Sequence, residues 1–471
     1  MTNRLKIIST IGPKTNNSIT IKKLINSGTS VFRLNGSHAD LTWHQNTIKK
    51  IRSVSNSIPI LFDIPGSKTR LEELKNPIEI KKNEKIILTI DKKNNKGKLY
   101  LDNNKIINKF KKGKIIFFDD GKLSFRVTKI EKKNVQITAI NNGYLKSRKG
   151  IHIPGLSHNQ KTISKKDKVF LNFAKKNKID FIGLSFIETQ NQIKKIKKYL
   201  NSDNPKIISK IENKEGLRNL KEILPYSDGI LIDRGDLSVE TGLENLSINQ
   251  KRIISTSRLF LKPVIVATEI MDNMVENSFL TKAEISDISN FVLDGSSAAM
   301  LSAETAIGSN PTYSVSMMRK IINKIEKNYN NKIEKINFPK SDHIATASAI
   351  SNICENIKIS KIIAVTRSGF AARTLSSMNI KQPIIAVSDN FQNSKTFNLY
   401  KGVRGYHFKN KFKKINLLHI PKILRELYFK RLIKNGEQIL LTAVAYPNTK
   451  NRMNMIETHH VSDLIKTFKW K

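Results

Sequence analysis

The stretch Pro205-Lys206-Ile207-Ile208-Ser209-Lys210-Ile211-Glu212 decides how this chain reads. Its apolar run predicts a strand, and because side chains alternate along a strand, Lys210 and Glu212 project to the same side of its end. A cation and an anion are thereby brought together where the strand stops. The pattern recurs in Val31-Phe32-Arg33-Leu34-Asn35-Gly36-Ser37, where Arg33, Asn35 and Ser37 share a face. It recurs again in Ala299-Met300-Leu301-Ser302-Ala303-Glu304, where Ser302 and Glu304 are expected to do so. Polar groups gathered at strand ends point to an enzyme whose chemistry happens there.

Working outward, eight short apolar runs alternate with helical stretches: Leu5–Ile11, Ser30–Asn35, Ile58–Ile64, Phe181–Phe186, Lys206–Glu212, Gly229–Asp233, Pro263–Ile270 and Ser297–Ser302. Amphipathic segments lie between them, among them Ile19–Ser27, Asp167–Lys176, Thr189–Asn201, Gly216–Leu224, Asn249–Leu261 and Lys282–Leu293. Eightfold βα alternation predicts a closed (β/α)8 TIM barrel of the α/β class, whose sites form at the carboxyl ends of its strands. From about Leu71 to Thr162 the rhythm gives way to short alternating strands with Asn, Gly and Lys turns, including the hairpin signal Asp120-Gly121. This interval predicts a small inserted β-barrel lid. From about Phe338 a further helix and strand alternation predicts a C-terminal α/β domain. The expected division is therefore 1–70 with 163–337 for the barrel, 71–162 for the lid and 338–471 for the last domain.

Composition bounds the function. The 471 residues exceed what one core usually holds, and no apolar stretch approaches the ~20 residues that span a bilayer. The start reads as a strand and not as a secretion signal, so a cytoplasmic protein is expected. Cys354 is the sole cysteine, which excludes an internal disulfide and a cysteine-rich zinc site. Eighty-three Lys and Arg against 39 Asp and Glu give a formal charge of +44. The lysines are scattered through nearly every segment and interleaved with Asn and Ile, which reads as solvated surface; a nucleic-acid footprint clusters on one face.

By residue type alone, the barrel mouth gathers Glu212 and Asp236, fit for a divalent cation, with Lys210, Arg33 and Arg70. Hard cations such as magnesium take oxygen ligands, and cations around such a metal suit phosphoryl transfer. The chain resembles the pyruvate kinase family in Ser9-Thr10-Ile11-Gly12-Pro13, Arg33 to His38, Ile207 to Gly216, Arg234-Gly235-Asp236-Leu237, Lys262 to Thr268, and Val292 to Gly295 with Met300 to Ala306. The resemblance implies transfer of phosphate from phosphoenolpyruvate to ADP, giving pyruvate and ATP. It implies that Arg33 and Lys210 hold the phosphoryl group, that Glu212 and Asp236 bind Mg2+, and that the amides of Gly235 and Asp236 support the substrate carboxylate. Thr268, with water linked to Ser302 and Glu304, is implied in protonating the enolate; Asn35, His38, Arg70 and Lys149 in meeting the nucleotide.

The same resemblance implies a potassium site at Asn35, Ser37 and Asp63, but Ile64 stands for a threonine and Lys68 for a glutamate. A lysine head carries the charge of the ion, so activity without potassium is expected. Other departures are Gly36 for an aromatic, Ser67 for proline, Asp233 for alanine and Glu269 for glutamine. Counted from Arg234 and Thr268, Asp233 and Glu269 are expected to point outward toward helices. Thr366, Ser368 and Gly369 resemble an effector phosphate loop for a sugar phosphate or AMP, with Ala371 in place of a hydroxyl residue. A homotetramer is implied. Two alternatives from the residues are another phosphoenolpyruvate- or pyruvate-binding barrel such as an aldol-type lyase, and a degenerate barrel that binds RNA or another polyanion.

Overall fold

The computed structural model describes residues 4–66, 69–92, 97–103, 106–119, 121–156, 163–329, 336–412, 417–444 and 453–470. Ser67, Lys68 and Asp120 lie outside these described residues. Eight parallel strands close a barrel in sequential order: β1 (Lys6–Thr10), β2 (Thr29–Asn35), β3 (Ile60–Ile64), β4 (Phe181–Leu184), β5 (Lys206–Ile211), β6 (Gly229–Asp233), β7 (Val264–Ala267) and β8 (Ala298–Leu301), which returns to β1. They are the eight apolar runs of the sequence, differing only at their ends. The largest difference is at β7, which stops at Ala267.

Strand alternation organises the barrel. Ile8, Val31, Leu61, Phe181, Ile208, Leu231, Ile265 and Ala298 fill the interior, one from each strand. Their neighbours Ile7, Phe32, Phe62, Ile182, Ile207, Ile232, Val266 and Ala299 pack in the cluster that includes the surrounding helices. The next inward positions, two residues further on, are Thr10, Arg33, Asp63, Gly183, Lys210, Asp233, Ala267 and Met300. Apolar filling thus passes into a polar layer toward the carboxyl ends.

The helices are set by local caps. Asn17 accepts from the Thr20 amide at the start of Ser18–Ser27, and Ser164 with Asp167 forms a capping box for Lys165–Lys176. Thr281 with Glu284 does the same for Lys282–Leu293. The segment read as one helix from Gly216 to Leu224 is broken at Asn219, whose side-chain amide donates to the Glu188 carbonyl and to Glu215.

Between β3 and β4 the insert forms a mostly antiparallel half-barrel sheet ordered Ile151–His152, Ile115–Phe118, Leu123–Ile130, Asn134–Ala139, Lys85–Thr89 and Leu99–Tyr100. The strands Ile78–Ile80 and Gly143–Leu145 pair separately. Its core, with Phe118, Phe125, Leu88 and Ile137, is distinct from that of the barrel. The C-terminal sheet runs Val403–His407, Ile384–Ser388, Lys361–Val365, Gln438–Ala443 and Met455–His460, with only the last strand antiparallel. Cys354 packs in this region's core, and burial pushes its thiol up to about 11, which disfavours the thiolate form.

The C-terminal unit closes the amino end of the barrel. Leu399, 1% exposed, joins the barrel's interior cluster from below. Asp180, fully buried, receives Lys395 and Arg52, each at 2.7 Å. The Lys6 ammonium donates to the Val403 carbonyl at 2.6 Å, and the Gly402 amide to the Arg4 carbonyl at 2.7 Å. At the opposite, carboxyl end the insert meets the barrel through His152, whose Nε2 lies 2.9 Å from Glu240.

Candidate active site

At the carboxyl end, the inward polar layer forms one connected cluster. Arg33 Nη2 meets Asp63 Oδ2 at 2.6 Å, and Nη1 donates to Thr10 Oγ1 at 3.3 Å. Lys210 Nζ lies 2.8 Å from Glu212, 3.3 Å from Asp233 and 3.4 Å from both Asp63 and Ser185 Oγ. Gly183 makes room for this: a Cβ there would stand 3.0 Å from Asp63 Oδ1. The expected pairing of Lys210 with Glu212 is present as read, because β5 stays a strand through Ile211.

Asp233 corrects the sequence reading. It points into the barrel, since Leu231 is interior and the parity carries two residues on. The outward expectation counted from Arg234 as if it were still strand, but the helix Arg234–Thr241 begins there. Arg234 instead turns its guanidinium to the Thr268 and Glu269 carbonyls and to Asp287 at 2.6 Å. Glu269 is exposed, and its carbonyl accepts from Arg234 at 2.6 Å.

Glu212, Asp233 and Asp236 each offer an oxygen, and these atoms lie within 4.8 Å of one another. Oxygen donors converging at that spacing fit a hard divalent cation. Burial pushes the Glu212 carboxyl up to about 8; Lys210 pulls against that, and Asp233 and Asp236 add to it. Burial alone would discharge Lys210, but Asp63, Glu212 and Asp233 hold it protonated well above the free-lysine value. His152, which the sequence reading did not single out, reaches Asp236 at 3.9 Å through Nδ1 and Glu240 at 2.9 Å through Nε2.

Thr268 is held in an unusual conformation. It and Glu269 have φ of 66° and 50°, a left-handed region that non-glycine residues seldom occupy. The Arg234 clamp on both carbonyls sustains it. The Thr268 hydroxyl accepts from the Gly235 amide at 3.1 Å, so Thr268 and the helix opening at Arg234 form one surface. Ser302 and Glu304 do not share a strand face as expected, because β8 ends at Leu301 and a turn of helix, Ala303–Ala306, carries Glu304. Glu304 is nonetheless buried and accepts from the Ser302 and Met271 amides at 2.7 and 3.2 Å. Burial raises its carboxyl above the ordinary range in spite of these bonds.

Over the mouth, Lys149 of the insert is paired with buried Asp119 at 2.5 Å, and Arg70 donates to the Arg148 carbonyl at 3.2 Å. Partial screening from solvent, then Arg70, Arg33 and Lys149, hold the His38 imidazole below the usual histidine range. Asn35 Oδ1 accepts from the Ser37 amide at 3.1 Å, while Asp63 Oδ2 is engaged by Arg33 and Lys210 and its buried Oδ1 has no hydrogen bond. In the C-terminal unit, Thr366 Oγ1 accepts from the Gly369 amide at 3.1 Å. Gly369 has φ 78° and lies so close to Phe397 that a Cβ would be 2.4 Å from the ring. Ala371, in the helix that follows, is buried and brings no hydroxyl.

The comparisons agree with this architecture along the chain. Residues 2–315 match the model of the pyruvate kinase barrel domain, and residues 344–459 that of the pyruvate kinase alpha/beta domain. The pyruvate kinase of Staphylococcus saprophyticus is 33% identical, the alignment covering 98% of this chain and 81% of that one. That of Thermococcus litoralis is 34% identical over 93% of this chain and 94% of its own. That of Bacillus licheniformis is 32% identical, covering 98% and 81%. With a closed eightfold barrel, a strand-end cluster of Arg33, Lys210, Glu212 and Asp236, and both family domains matched, this chain belongs to the pyruvate kinase family.

Proposed function

We propose that the chain transfers phosphate from phosphoenolpyruvate to ADP, yielding pyruvate and ATP in the last step of glycolysis, and that the polar layer above the barrel core carries the reaction. The observation that bears most weight is Lys210, a lysine 7% exposed in its side chain and kept charged by three carboxylates at the mouth of the barrel. A fixed ammonium in a site screened from water is suited to charge that develops during phosphoryl transfer. Arg33 and Lys210 hold the phosphoryl group, and Lys210 then stabilises the enolate left behind. The amides of Gly235 and Asp236, at the start of an eight-residue helix, support the substrate carboxylate beside Thr268. Glu304, buried and raised toward its protonated form, feeds a proton through Ser302, water and Thr268 to the enolate carbon. His38, Arg70, Lys149 and Asn35 meet the ADP phosphates, and closure of the insert excludes water.

Glu212 and Asp236 hold the divalent cation, for which their hard oxygens favour Mg2+; when bound, it neutralises phosphoryl oxygens. Asn35, Ser37 and Asp63 form the monovalent-cation position, with Lys68 substituting for potassium. Residues 1–70 and 163–337 make the catalytic domain, 71–162 the lid, and 338–471 a regulatory domain. In that last domain Thr366, Ser368 and Gly369 cradle a sugar phosphate or AMP weakly, Ala371 contributing nothing. The enzyme acts in the cytoplasm as a homotetramer. No helix among the described residues is long and apolar enough to cross a membrane.

The test is pyruvate formation from phosphoenolpyruvate with and without ADP and Mg2+, over a salt series. Turnover that requires both is expected. Pyruvate release that ignores ADP would indicate a lyase, and no turnover with salt-sensitive polyanion binding would indicate a degenerate barrel.

A further inference from the structure

The structure assigns Asp233 to the divalent-cation site: we propose that it is a third carboxylate ligand, which holds the cation in the free enzyme before substrate arrives. The inference rests on the reading of Glu212 and Asp236 as metal ligands. Three observations carry it.

The first is direction. Leu231 lies in the barrel interior, so the strand delivers Asp233 inward, with its Oδ2 3.3 Å from Lys210 Nζ and a carboxylate oxygen within 4.8 Å of those of Glu212 and Asp236. The second is what Asp233 declines to do. It occupies the N-cap position of the helix Arg234–Thr241 yet makes no capping bond, whereas Asn17, Asp40, Ser164 and Thr281 at comparable positions all accept from their helices. Aspartate at an N-cap ordinarily turns to the free amides. This one turns to the cluster.

The third is charge. Arg33 is matched by Asp63 at 2.6 Å, and Lys210 can match one of the three remaining carboxylates. With all three carboxylates ionised, as they are when they ligate a cation, two formal negative charges are left over, the number that one divalent cation cancels. With Glu212 and Asp236 alone only one would remain, and substrate oxygens would have to complete both the charge and the coordination. Asp233 therefore makes the cation a resident of the enzyme. The same carboxylate lowers the net positive charge that meets the anionic substrate, so tighter metal binding comes with weaker substrate attraction.

The test is Mn2+ binding to the full chain without substrate, followed by electron paramagnetic resonance, for wild type, Asp233→Ala and Asp233→Asn. Loss of a metal-site carboxylate is expected to weaken Mn2+ binding at least ~10-fold in Asp233→Ala. Asp233→Asn keeps an oxygen without the charge and should fall between the two. In parallel, the rise in melting temperature caused by Mg2+ should be smaller in both variants than in wild type; the asparagine variant serves if alanine fails to fold. Equal or tighter Mn2+ binding in the variants would overturn the proposal and leave Asp233 as a partner of Lys210 only. If wild type binds no Mn2+ and makes no pyruvate, the reading of the whole site fails, which is a distinguishable result.

Discussion

Replacing Lys210 with methionine tests the catalytic and the structural role of the same atom. The ammonium contacts Glu212 at 2.8 Å, Asp233 at 3.3 Å and Asp63 at 3.4 Å, so its removal strands carboxylates in a buried place. Breaking a buried ion pair by deleting one partner costs roughly 3–5 kcal/mol. Here the lower end applies. Asp63 retains Arg33 at 2.6 Å, and the Glu212 carboxyl, with burial pushing it up to about 8, can take a proton near neutral pH. The stranded charge is then chiefly Asp233, and about 3 kcal/mol of stability should be lost in EDTA. Excess Mg2+ should restore much of that loss by taking the place of the missing cation. Turnover should not return: losing one preorganised donor to developing charge costs ~10²–10³ in rate. Urea unfolding in EDTA and in Mg2+, with steady-state kinetics of the metal-loaded enzyme, supplies both readings. A variant with near-normal kcat and only a raised KM would refute the catalytic role. A variant as stable as wild type in EDTA would refute the electrostatic account of the cluster.

Leu399→Ala removes the side chain that plugs the amino end of the barrel and should destabilise the protein by ~2–5 kcal/mol; a urea midpoint within error of wild type would contradict its placement in that core. Lys401, 4% exposed and 4.0 Å from Glu326, is lowered to about 7 by burial, which Glu326 opposes and Arg4 and Arg258 reinforce. Between about 7 and the ordinary 10.5 the unfolded chain binds the proton and the folded one does not, so wild type should gain up to ~1.4 kcal/mol per pH unit relative to Lys401→Met. A difference that stays constant from pH 6.5 to 9 would sink that reading. For the monovalent site, turnover in tetramethylammonium buffer should not need added potassium, and Lys68→Glu should create the need; strong stimulation of wild type by potassium would reject the substitution of a lysine for the ion.

What the sequence determined on its own is whatever follows from local periodicity. Alternation with a period of two put Lys210 beside Glu212 and Arg33 on one face with Asn35, and eight such runs separated by helices specified the barrel, because each strand carries its own inward and outward faces. Those relations hold for as long as the strand lasts. Where each strand stops was decided by the tertiary structure, and that is where the reading changed. At β6 the strand ends at Asp233 as read, but counting faces back from Arg234 as if it were strand put Asp233 outward; because the helix starts at Arg234, Asp233 points inward and Arg234 clamps the Thr268 and Glu269 carbonyls. Likewise β8 ends at Leu301, so Glu304 reaches Met271 from a turn of helix. Leu399 could not be read as part of the barrel at all, since it comes from a separate unit almost 100 residues further along the chain than β8 and meets the barrel interior only through the tertiary fold. Periodicity is a property of neighbours in the chain; strand ends, clamps and plugs depend on groups brought together by folding, which no local pattern records.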